Sequence, residues 1–114
     1  MGGMTFVDVN QAPQACTLPT AERPLRVAEF DRLFARAVAV ERLGPQAARI
    51  VLRPSPETAA EAANLVVRET ECCSFFTFSL TATGGLLHLD VMVPENQTPV
   101  LDSVVGWVER VGAS

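Results

Sequence analysis

The chain has 114 residues, thirteen acidic and nine basic side chains, and a net charge of −4. That length gives one domain, which can bury roughly two-thirds of its unfolded surface without a disulfide or metal staple. All nine basic residues are arginines and none cluster, which argues against nucleic acid as a partner and against a basic membrane-surface helix.

No apolar run approaches the ~20 residues that span a bilayer. Met1-Gly2-Gly3-Met4-Thr5 carries neither a basic nor an apolar signal region, so no signal peptide is expected and a cytoplasmic location follows. A reducing compartment and an odd cysteine count (three) both argue against a closed disulfide framework. The absence of lysine and tyrosine, with abundant Ala, Val and Arg, fits the coding bias of a GC-rich bacterium.

Residues 1–14 are small, polar and proline-containing, and are expected to form a flexible N-terminal tail ahead of a single α+β domain over residues 15–112. Pro19 keeps Cys16-Thr17-Leu18 extended. A helix is expected from Thr20 or Glu22 to about Ala37, with Val27, Phe30, Leu33, Phe34 and Ala37 as its apolar stripe. Val38, Val40 and Leu43 suggest a strand, Gly44-Pro45-Gln46 a turn, and Ala48, Ile50 and Leu52 the returning strand.

Ser55 reads as an N-cap with Pro56 behind it, opening a second helix to about Cys73. Its stripe is Ala59, Ala62, Ala63, Leu65 and Val66, and one further turn brings Glu69 and then the cysteines. Phe76, Phe78 and Leu80 alternate with polar residues as a half-buried strand. Thr83-Gly84-Gly85 is a turn. Leu87, Leu89, Val91 and Val93 form the apolar face of the next strand, with His88 and Asp90 on the other face. A last helix runs from Thr98 to Val111, capped by Gly112. Its apolar stripe is wider than one sheet contact needs, which points to a homodimer through this C-terminal helix. The expected architecture is a two-layer sandwich, an antiparallel four-stranded sheet of two hairpins with three helices.

The segment Glu69-Thr70-Glu71-Cys72-Cys73-Ser74-Phe75-Phe76-Thr77-Phe78 carries the chemistry. The hydrophobic period changes from helical to strand-like at the two cysteines, so their thiols sit at an element boundary. Adjacent residues in a helix project about 100° apart, so both sulfurs reach one ion only if the helix ends there. Thiolates favour soft ions such as Zn, Cu(I) or Hg(II). The expected site is therefore Cys16, Cys72 and Cys73, with Glu69 and His88 in supporting positions. Two readings stand beside it: a thiol redox enzyme using the vicinal pair, and a non-catalytic dimerising module with packed cysteines. Enzyme activity is not favoured. A helix C-terminus with Glu69 and Glu71 nearby is a poor setting for a reactive thiol, and no HExxH, GxSxG or CxxC motif is present.

Cys16-Thr17-Leu18-Pro19 and the Glu69–Phe78 segment resemble a family of small, largely uncharacterised bacterial proteins. Those proteins carry a C-x-L-P segment near the N-terminus and an E-x-x-C-C-x-F-x-x-F segment at the end of a central helix. Cys16, Leu18 and Pro19 fall on the first pattern; Glu69, Cys72, Cys73, Phe75 and Phe78 fall on the second. The resemblance covers roughly residues 15–110. Members are sometimes found with heavy-metal resistance functions, which implies a metal or small thiol-reactive ligand and assigns no activity.

Overall fold

A computed structural model describes residues 23–112. The expected N-terminal tail and the Cys16–Pro19 segment lie outside the described residues. The order is α1 (Arg23–Phe34), β1 (Ala37–Gly44), β2 (Ala47–Leu52), α2 (Pro56–Cys72), β3 (Thr77–Thr83), β4 (Leu86–Met92), a 3-10 turn (Glu95–Gln97) and α3 (Thr98–Val111). The four strands form one sheet in the order β1-β2-β4-β3, antiparallel at every step. This is the α+β sandwich that the alternating strands and striped helices imply.

The local signals act as their chemistry dictates. Ser55 is extended (φ −159°, ψ 152°) and its side chain accepts from the Thr58 backbone N–H at 3.0 Å, capping α2. Gly84 and Gly85 take φ of 57° and 75°. Two consecutive left-handed residues match the twist of a tight hairpin, and only residues such as glycine enter that region cheaply. In the first hairpin, Arg42 donates to the Gly44 and Pro45 carbonyls and pairs with Asp102 of α3.

Alternation sets the two faces of the sheet. Ile50, Leu52, Leu87, Leu89 and Val91 join Phe30, Leu33, Phe34, Ala62, Leu65, Leu101 and Val108 in one core. Arg49 and His88 fall on the opposite register positions, with Asp90 bound bidentately by Arg49 at 2.8 and 3.0 Å. All three α-helices therefore cover one face.

Several expected boundaries move. α1 stops at Phe34 rather than near Ala37, because the Arg36 carbonyl accepts from Arg53 N–H and Ala37 pairs with Leu52. Sheet pairing thus ends the helix. Val27 is 51% exposed and Ala63 is exposed, so the α1 stripe loses Val27 as well as Ala37, and the α2 stripe loses Ala63. Part of the wide stripe of α3 packs within the chain: Leu101 and Val108 are buried, and Val104, Val105, Trp107 and Val111 are partly buried against the core. Trp107 stands edge-on to Phe34 at 5.1 Å and tilted to Phe30 at 6.1 Å. None of the large exposed hydrophobic residues belongs to α3.

α1 and α2 run antiparallel along a charged seam. Arg26 meets Glu69, Glu29 meets Arg68, and Arg32 and Arg36 both meet Glu61. Beneath the seam, Phe30 and Leu33 pack in the same core as Ala62 and Leu65.

At Gly112, which caps α3 through its N–H to the Val108 carbonyl, a Cβ would collide with the Phe34 carbonyl oxygen. Gly112→Ala is expected to cost about 1–3 kcal/mol, the range for overpacking a tight contact. Ser55→Ala is expected to cost about 1 kcal/mol through the lost cap. Urea unfolding monitored by circular dichroism measures both.

Candidate functional site at the end of α2

α2 ends on the cysteine pair. Cys72 is its last residue, and Cys73 is the C-cap at φ −123°, ψ 88°, its N–H bonded to the Glu69 carbonyl. The chain leaves helical geometry between the two sulfur-bearing residues, as convergence of both on one ligand requires. Cys72 is half-buried; Cys73 is 3% exposed. Cys73 is disulfide-bonded. The odd cysteine count speaks against a structural disulfide, but it forbids only that all three cysteines pair at once.

The residue that composition and motif did not mark is Arg26. Its Nη1 donates to Glu69 Oε1 at 2.9 Å, and its Nη2 lies 4.0 Å from Cys72 Sγ. A weaker contact runs from its Nε to Glu29 Oε1 at 3.7 Å. Arg26 and Glu69 are 11% and 14% exposed, so the pair is largely withdrawn from water. Glu69, expected as a support for the thiols, reaches their surroundings through this arginine. Its position on the inward edge of α2 was legible from helical spacing. Arg26 stands 46 residues before Cys72, and only the crossing of α1 on α2 joins them.

Arg68 supplies a second positive charge. It is bidentate to Glu29 at 3.1 and 2.8 Å and also donates to Asn64. Its guanidinium is held above its ordinary value chiefly by the Glu29 hydrogen bonds, with a smaller contribution from Cys72. Glu29 is correspondingly held below the usual carboxylate value, first by the hydrogen bonds from Arg68. The expectation that carboxylates dominate the surroundings of the thiols is therefore incomplete. Glu69 and Glu29 are each matched by an arginine, and Glu71 is exposed.

The expected sites divide as follows. Cys72, Cys73 and Glu69 share the C-terminal end of α2. His88 lies on β4 opposite Val51 and Thr81, at a register position facing away from the helices. Cys16 lies outside the described residues. Among the described residues, no group of three or more His, Cys, Asp and Glu side chains is arranged to hold a metal ion.

Beside this end of α2 a half-open cavity of about 220 Å³ lies between the helices and the sheet. Phe30, Phe34, Phe76, Phe78 and Trp107 contribute its rings, and Arg26 and Glu69 are its two charged lining residues. Phe76 and Phe78 stack with centroids 5.1 Å apart. Trp107 directs its indole N–H to Asp31.

No family model, curated protein or solved structure matches this chain. The family resemblance therefore rests on the two cysteine segments alone.

Because the Glu29 carboxyl is lowered in the folded state, its contribution is present above the unfolded carboxylate range and is lost as pH falls through the lowered value. Glu29→Gln is expected to destabilise the protein at neutral pH by no more than about 1 kcal/mol, as for a partly exposed pair. The difference from wild type should shrink to nothing in acid, as read by thermal unfolding across a pH series.

Proposed function

We propose that this protein binds a soft metal or metalloid ion through the thiolates of Cys16, Cys72 and Cys73, for sequestration, transfer or sensing in a reducing cytoplasm. The observation that carries this reading is the termination of α2 at the cysteine pair, with the Arg26 guanidinium 4.0 Å from Cys72 Sγ. Sulfur donors suit thiophilic ions such as Zn(II), Cu(I) or Hg(II). A divalent ion held by three thiolates carries a net negative charge, and Arg26 with Arg68 supplies compensating charge at that end of the helix. Glu69 holds Arg26 in place and acts on the sulfurs only through it. Metal uptake requires the disulfide at Cys73 to be reduced.

A second reading, thiol–disulfide exchange, is favoured by that disulfide. In exchange, an incoming thiolate bonds to one sulfur of the disulfide and the other sulfur leaves as thiolate. An external dithiol would supply the electron pair and become oxidised.

One experiment separates the two. Reduced protein is titrated with Hg(II) and, separately, Zn(II) under anaerobic conditions, with free thiols counted before and after. Metal binding predicts one ion per chain, loss of all three titratable thiols on saturation, and affinity at least about tenfold weaker in Cys16→Ser, Cys72→Ser and Cys73→Ser. Exchange predicts no stoichiometric uptake and a disulfide that equilibrates with glutathione buffers. Full uptake by Cys16→Ser would remove the three-cysteine site.

A further inference from the structure

We infer that the aromatic cavity beside the thiols is a binding site for a small neutral aromatic molecule of one ring bearing a single hydrogen-bonding substituent. Size gives the first limit. An apolar cavity of roughly 150 Å³ accommodates benzene, and drug-sized ligands occupy about 300–1,000 Å³. At about 220 Å³ this cavity takes one substituted ring.

The lining gives the second limit. Three rings come from the helices (Phe30, Phe34 and Trp107), one from Phe76 just before β3 and one from Phe78 within it, with Leu89, Val91 and Val104 filling between them. Aromatic side chains present both faces and edges, and a guest ring gains edge-to-face contacts that an aliphatic chain does not. Trp107 gives its N–H to Asp31 and so contributes a surface rather than a donor.

Charge gives the third limit. The polar groups of the lining are Arg26 and Glu69, already joined at 2.9 Å. Glu29 and Arg68 pair just beyond them, so two positive and two negative charges cancel. An anionic guest would meet Glu69 and a cationic guest Arg26, each in surroundings poor in water, where an uncompensated charge is costly. A hydroxyl satisfies both. It donates to Glu69 Oε2, since Oε1 holds the arginine, and it accepts from Arg26. The inference does not rest on metal binding: Cys72 is not among the lining residues, and the two sites share only the Arg26–Glu69 pair.

The protein carries its own reporter. Trp107 is the sole tryptophan, there is no tyrosine, and the indole lines the cavity. Full-length protein is titrated with benzyl alcohol, benzoate and benzylamine, three probes of one ring size and different charge. Indole emission is excited at its red edge, where these probes do not absorb. Saturable binding of benzyl alcohol is expected, with both charged probes at least about fivefold weaker. Val104→Phe fills the cavity and should abolish the response while circular dichroism stays native. If that variant does not fold, Val27→Phe, at a side chain 51% exposed on the cavity lining, narrows the entrance and decides instead.

Binding that persists in all three Cys→Ser variants separates this site from the thiols. A cavity filled by the chain's own N-terminal segment or by a second copy gives no saturable response to any probe. That result overturns the inference, as does preference for benzoate or benzylamine, or unchanged binding in the folded, cavity-blocking variant.

Discussion

Arg26 and Glu69 meet where α1 crosses the end of α2, and the geometry of the candidate site hangs on that contact. Most ion pairs along the seam are partly exposed and contribute at most about 1 kcal/mol each. Arg26–Glu69 differs because both side chains are mostly withdrawn from water. Removing one partner of a buried pair leaves a charge without compensation, at a cost of about 3–5 kcal/mol in fully buried cases. Replacing both with hydrocarbon can be neutral, so the pair's value here lies in position more than in net stability. With the buried Phe30, Leu33 and Phe34 it is consistent with one rotation of α1 about its own axis. That rotation puts Phe30 in the cavity wall and the guanidinium against Cys72.

The cavity and the thiols are thus neighbours through one side chain. Arg26 lines the first and touches the second. A sealed void of this volume would cost on the order of 5 kcal/mol at the ~24 cal/mol per Å³ measured for core cavities. The opening to solvent lowers that figure, but a sequence shaped only for stability would fill the space. Larger side chains at Val104 or Val91 would do so with ordinary hydrophobic residues. Five rings around a space that no described side chain fills suit a guest better than a packing defect.

Much of the architecture could be read locally. The Ser55-Pro56 start, the Gly84-Gly85 turn and the period-two strands on either side of it depend on backbone preferences and nearest neighbours. Each stands within a residue or two of its expected place. The end of α1 departs from its local periodicity because its last turn competes with pairing to Leu52, a partner fifteen residues on in the chain. Hydrophobic periodicity counts the apolar positions across the width of α3 without saying what covers them. Here Phe30, Phe34 and the cavity account for much of that width.

From its residues alone, the chain declared its fold class, its hairpins, its helix caps, and the place where two thiols meet a change of period. Those features are governed by short-range sterics and by the alternation of side chains along one element. Tertiary structure decided the strand order, the separation of His88 from the helix layer, the partner of Glu69 and the approach of Arg26 to Cys72. The strand order and the two Arg26 contacts join residues some forty positions apart. Their meeting depends on how helices cross and how sheets stack, and no local preference encodes a distance of that kind.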